Sequence, residues 1–116
     1  MAYVLRFVQR FRAADEAAFM ALEAKFAALE RRKGWPRGRR SRPLAGRDPV
    51  HTLVWEAELE TLAAVNDTLA TLAADPDHAR LLKRQTPFFL EAWTEILERL
   101  ELPAPPRRRT ARRGAA

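Results

Sequence analysis

The stretch Phe88-Phe89-Leu90-Glu91-Ala92-Trp93-Thr94-Glu95-Ile96-Leu97-Glu98-Arg99-Leu100-Glu101-Leu102 decides the fold. Wound as a helix, it puts Phe89, Trp93, Ile96 and Leu100 on one stripe, with Glu95 four residues before Arg99 in a favourable ion-pair spacing. Extended as a strand, it puts Trp93 and Leu97 on one side and Thr94 and Ile96 on the other. The local pattern leans to helix. The rest of the chain leans to strand, because without this segment a three-stranded sheet leaves a central strand uncovered.

The first strand is plain. From Ala2 to Arg12, Tyr3, Leu5, Phe7, Gln9 and Phe11 alternate with Val4, Arg6, Val8 and Arg10, a period of two with aromatic and β-branched residues. Asp15 and Glu16 then offer a cap and first-turn negative charge for a helix. Its apolar stripe is Phe19, Leu22, Phe26 and Leu29; Arg31, Arg32 and Lys33 suit its last turn, and Gly34 and Pro36 end it. Residues 37–47 are Arg-rich and poor in apolar side chains, which fits an edge strand or a loop. Asp48-Pro49 reads as a turn, and Val50–Leu59 alternates again as a strong strand. Leu62, Val65, Leu69 and Leu72 repeat the stripe of the first helix. Asp75-Pro76-Asp77-His78 restarts a helix with a cap, a first-position proline and an acidic first turn. Thr86-Pro87 stops it.

Composition narrows the class. The chain has 116 residues, 47% hydrophobic and 31% charged, with no cysteine. That is one globular domain, expected over residues 1–102, and it excludes disulfides, thiolate catalysis and cysteine-ligated metal or iron–sulfur centres. No apolar run is long enough for a membrane span, and the first residues do not resemble a signal peptide, so the cytoplasm is the expected compartment. The net charge is +6, but five arginines lie in the Pro/Arg-rich stretch 103–116, which holds no acid. Without them, 16 basic residues face 15 acidic ones. Residues 103–116 read as a disordered, solubilising tail, with nucleic-acid attachment confined to that tail as the alternative.

The order strand, helix, weak strand, strand, helix, final strand is the ferredoxin-like β-α-β-β-α-β unit. With Leu53-Val54-Trp55-Glu56 in the third strand, Ala74-Asp75-Pro76-Asp77-His78 after the second helix, and Glu95-Ile96 in the last segment, the chain resembles the dimeric α+β barrel superfamily. Within it, the likeness is to the NIPSNAP-like and antibiotic-biosynthesis-monooxygenase-like groups. The resemblance implies an α+β fold with a four-stranded antiparallel-type sheet in the order 4-1-3-2. It also implies a homodimer with the two sheets face to face, and no obligatory cofactor. The charges fit such a pairing. Residues 31–47 carry eight cations and no acid, whereas residues 88–102 carry Glu91, Glu95, Glu98 and Glu101 against Arg99 alone. A two-fold axis would bring one edge near the other, or both runs are merely solvated edge charge.

The resemblance implies a pocket between sheet and helices that takes a small, partly aromatic ligand, in a protein of undetermined activity. The enzymatic alternative is a cofactor-independent monooxygenase with Trp55 at the pocket and Arg6, Glu56 or His78 near the substrate. Trp55 shares its face with Leu53 and Ala57, so a core role competes with a pocket role. His78 sits near a helix start, where exposure is the simpler reading. His51 reads as solvent-facing. His51 and His78 do not have metal-ligand spacing, and no Gly-rich phosphate loop exists. Haem degraders of the superfamily need an Asn in the first strand, where this chain has Leu5-Arg6-Phe7. Arg6, Arg10, Thr52, Glu56, Thr94 and Glu98 are expected to point into the barrel, with Arg6 and Glu56 as an ion pair on neighbouring strands.

Overall fold

A computed structural model describes residues 2–106. Its elements run β1 (Tyr3–Phe11), α1 (Glu16–Lys33), β2 (Arg39–Ser41), β3 (Thr52–Leu59), α2 (Leu62–Ala74), α3 (Pro76–Gln85) and β4 (Phe89–Glu98). The sheet order is β2-β3-β1-β4, with every neighbouring pair antiparallel. This is the ferredoxin-like α+β arrangement. Residues 103–106 belong to no helix or strand, and the rest of the expected tail lies outside the described residues.

Residues 89–98 are a strand, for a topological reason. β3 occupies one edge of β1, from Tyr3↔Leu59 to Arg10↔Thr52. The other edge would be a row of unpaired backbone groups. β4 satisfies it from Tyr3↔Glu98 to Phe11↔Phe89, with a register shift at Arg10/Phe11. Non-local pairing therefore overrides the helical stripe.

Side-chain parity divides the sheet. One side carries Leu5, Phe7, Gln9 and Phe11 with Leu53, Trp55 and Ala57, and the helices pack on it. Leu5, Trp55 and Ala57 cluster with Val65 of α2, while Phe11 and Leu53 cluster with Phe19 of α1. The Phe11 and Phe19 rings stack at 4.4 Å. The other side carries Val4, Arg6, Val8 and Arg10 with their cross-strand partners. Thr94 pairs with Phe7 and Glu98 with Tyr3, so both lie on the helix side. That corrects the expectation that they share a face with Arg6 and Glu56. The strand period is two, and β4 enters the sheet one residue away from that register.

Two helix starts differ. Asp75 caps α3, its Oδ1 accepting from the His78 N–H at 2.9 Å. Asp15 makes no side-chain cap; a 3₁₀ turn at Ala13–Asp15 leads into α1 instead. At the other end of α1, Gly34 takes φ 69° and donates back to Arg31 and Glu30 carbonyls. A left-handed residue there is what a glycine provides without strain. No helix among the described residues is long and apolar enough to cross a membrane.

Candidate functional site

The cavity under the sheet is built from aromatic pairs. Phe7 and Trp55 are cross-strand partners on the helix side, and their rings stack at 4.8 Å with planes 17° apart. Phe26 of α1 meets the His78 imidazole of α3 at 5.2 Å, and Trp35 approaches the same imidazole edge-on at 6.3 Å. Between these two aromatic pairs lies a cavity of about 220 Å³, closed further by Gln9, Glu23, Leu82, Gln85 and Thr94. A dry apolar cavity of about 150 Å³ suffices for benzene. This one has room for a single substituted ring and little more.

Its polar groups are few and placed. His78 is half-buried, and burial pushes its pKa down; Asp75, Glu30 and Glu23 pull weakly the other way. The ring is therefore neutral at pH 7, able to accept a hydrogen bond from a bound hydroxyl. Exposure near a helix start was the simpler sequence reading, and the tertiary packing of Phe26 and Trp35 overturns it. Gln9 Oε1 and Trp55 Nε1 are buried without a hydrogen-bond partner. The first is an acceptor and the second a donor, and both belong to cavity-lining residues.

A buried ionic clamp holds the cavity's outer strand. Arg40, on β2, donates to Glu23 at 2.7 Å and to Glu30 at 2.6 Å, both on α1 and both buried. Burial works against the Arg40 charge, but hydrogen bonds to Glu30 and Glu23 outweigh it and hold its pKa above the usual guanidinium value. Gln85 of α3 donates to the other oxygen of Glu23 at 2.9 Å. Glu23 thus joins β2, α1 and α3 at the cavity wall. Gly38 precedes the strand. A Cβ there would overlap Nε1 and Cε2 of the Trp55 indole, so only glycine lets the backbone cross the ring so closely.

Of the four sequence candidates, the structure brings Trp55 and His78 together and separates Arg6 and Glu56 from them. Arg6 donates twice to Glu56, at 2.9 and 2.6 Å, and reaches Glu95 at 3.4 Å, on the side of the sheet away from the cavity. The hydrogen bond to Glu56, with the nearby Glu56 and Glu95 charges, holds its pKa high despite partial burial. Arg6 and Glu56 are therefore not near a ligand in this cavity. The expected ion pair is present; its proximity to substrate is not. His51 is partly exposed to solvent, with Nδ1 3.1 Å from Glu16 Oε1. Glu23, Gln85 and Arg40 were not singled out as site residues by sequence, and Phe26 stood only as a member of the apolar stripe of the first helix. Glu23 and Glu30 stand seven apart at the margin of the Phe19–Phe26 stripe, a spacing that puts two carboxylates on one helical face.

No protein-family model matches the sequence, and no curated protein matches it. Solved structures do. A NIPSNAP-like domain protein from Burkholderia xenovorans superposes with a TM-score of 0.70 at 16% identity, covering 90% of each chain. A NIPSNAP family protein from Agrobacterium tumefaciens gives 0.70 at 15%, covering 88% of this chain and 89% of that one. A proposed antibiotic biosynthesis monooxygenase from Caulobacter crescentus gives 0.66 at 11%, covering 86% and 91%. The chain has the ferredoxin-like α+β fold of these NIPSNAP-like and monooxygenase-like structures. The likeness extends over nearly the whole described domain, and at these identities it establishes the architecture alone.

Proposed function

We propose that this chain is a NIPSNAP-like small-molecule-binding protein that works as a homodimer and takes one planar, hydroxyl-bearing ring between the Phe7–Trp55 pair and the Phe26–His78 pair. The observation that carries the reading is the cavity of about 220 Å³ with aromatic rings on two walls and a neutral imidazole on one of them. Stacking supplies affinity, and the unpartnered Gln9 Oε1 supplies an acceptor that only a donor-bearing ligand satisfies.

The dimer reading rests on the uncovered side of the sheet. Val4, Val54, Trp93 and Leu97 share it with the Arg6–Glu56–Glu95 and Arg10–Glu91 ion pairs, around an already buried Val8. Its apolar residues favour cover, and its charges are already paired, which lowers the cost of removing them from water. Edge-to-edge charge matching contributes less than the residue counts suggest. Arg40 and Arg42 of the basic run bind Glu23, Glu30 and Glu16, and Glu91 and Glu95 of the acidic run bind Arg10 and Arg6. Burial of the sheet face, rather than the seam of opposite charges, is the driving term.

A second reading is oxidation of the bound ring by O₂ without a cofactor. The unprotonated His78 nitrogen on the cavity wall favours it, because accepting the ring hydroxyl's hydrogen bond raises the electron density of the ring that O₂ attacks. Oxidation of a bound phenol to a quinone consumes one O₂ and releases one water, the substrate supplying the electrons and the ring C–H becoming a second C=O. Titration of the full chain with phenol, 2-naphthol and cyclohexanol, followed by light scattering, tests binding and assembly together. Saturable Trp quenching by phenol, little by cyclohexanol, and a dimer mass at micromolar concentration are expected. A monomer, or equal responses to all three compounds, contradicts the proposal.

A further inference from the structure

On the outer surface, away from the aromatic cavity, α1 and α3 form a groove of about 420 Å³. Its two walls repeat one pattern. Along α1, Lys25, Ala28, Leu29 and Arg32 fall at i, i+3, i+4 and i+7; along α3, Asp77, Arg80, Leu81 and Arg84 fall at the same spacing. The α1 wall therefore shows an apolar middle, Ala28 and Leu29, between charged ends, and the α3 wall adds Leu81 among Asp77, Arg80 and Arg84. Leu29 is fully buried and Leu81 half-buried, forming a floor, while the cations stand at the rim.

The rim carries more positive charge than it can neutralise. Asp77 is its one carboxylate, and Arg32, Arg80 and Lys33 already share it. Lys25 and Arg84 have no carboxylate partner among the described residues. Residues 107–116 cannot supply one from a side chain, for they contain arginines and no Asp or Glu. Like charges gathered over an apolar floor repel unless an anion sits among them. Guanidinium groups bind phosphate and carboxylate oxygens in paired hydrogen bonds.

We propose that the α1/α3 groove is a second binding site, for a small oxyanion carrying a short apolar body, such as an alkyl phosphate or an alkyl carboxylate. The head engages Lys25 and Arg84, and the body lies on Ala28, Leu29 and Leu81. The site is independent of the aromatic cavity, so it stands or falls separately from the ring-binding reading.

Amide NMR titrations of the full chain with hexyl phosphate, hexanoate, inorganic phosphate and 1-hexanol test it. Hexyl phosphate is expected to saturate, with the largest shifts at Lys25, Ala28, Leu29, Leu81 and Arg84 of the groove and none at Phe7, Gln9 or Trp55 of the cavity, and hexanoate to follow more weakly. Inorganic phosphate should bind at least about fivefold more weakly than hexyl phosphate, and 1-hexanol should not saturate. The double variant Lys25→Gln/Arg84→Gln should lose about fivefold or more in hexyl phosphate affinity while phenol binding at the cavity is unchanged. Both side chains are exposed, so the variant keeps its fold, and its amide spectrum checks that. Equal affinity for inorganic and hexyl phosphate, an unaffected double variant, or shifts away from α1 and α3 would overturn the proposal. Phosphate against carboxylate preference identifies the head group.

Discussion

Replacing Arg40 with Met tests whether the short edge strand is held by charge. The substitution keeps the apolar stem and removes the guanidinium that bridges Glu23 and Glu30 at 2.7 and 2.6 Å. Those carboxylate side chains are 6% and 11% exposed, and the Arg40 side chain 19%. Removing one partner of a buried ionic group leaves the other charge in poor surroundings, at about 3–5 kcal/mol. A proton can relieve each carboxylate, and protonating an ordinary glutamate at pH 7 costs about 3.7 kcal/mol, which limits the penalty per group. The variant is thus expected to unfold about 3–5 kcal/mol more easily at pH 7, or about 12–20 °C lower for a domain near 100 residues. The native variant takes up protons that its unfolded chain does not, so the deficit should shrink as pH falls from 7 to 5. Adding Glu23→Gln to Arg40→Met should recover part of the loss. Urea or thermal unfolding by circular dichroism measures all of this. A loss below about 1 kcal/mol, with no pH dependence, would refute a buried clamp.

Gly38→Ala should cost about 1–3 kcal/mol and weaken phenol binding, because the new methyl group must displace the Trp55 indole or β2; near-UV circular dichroism and unfolding check it, with Gly34→Ala, whose Cβ meets nothing, as the control for backbone strain alone. His78 has a native pKa below its unfolded value, so the unfolded chain binds more protons between the two. Stability should therefore decline as pH drops through the ordinary histidine range near 6.5 and level off below the native pKa, and His78→Gln should remove that slope from pH-dependent unfolding curves. Glu56→Gln leaves Arg6 with Glu95 alone at 3.4 Å. If a second copy covers that face, the dimer should weaken by about thirtyfold or more in sedimentation experiments, and a change under about threefold would place the seam elsewhere.

The strand and helix periods of Tyr3–Phe11, Phe19–Leu29 and Thr52–Leu59 were legible because each is long and its apolar side is buried. The segment Phe89–Glu98 was legible only through topology. Its own residues fit a helical stripe, and the free edge of β1 made the choice. Which face Thr94 and Glu98 occupy depends on a register that the sequence does not state. Half of the site could be read: Trp55 stood on a strand among apolar neighbours, and His78 followed a clear cap. Its burial could not, since Phe26 and Trp35 reach it from α1 and the segment after it. Arg40 was one arginine among eight cations in residues 31–47. Only the pairing Arg40↔Trp55 turns it toward the helices, while Arg39 beside it faces the other way, opposite Glu56.

The central claim is that a single ring lies between the Phe7–Trp55 stack and the Phe26–His78 pair. Nuclear Overhauser contacts from bound phenol to assigned aromatic protons test it most directly. Contacts to both the Trp55 indole and the His78 imidazole, lost in Trp55→Leu, are the predicted result. Contacts only to Trp35 or Trp93, unchanged by that substitution, would contradict it.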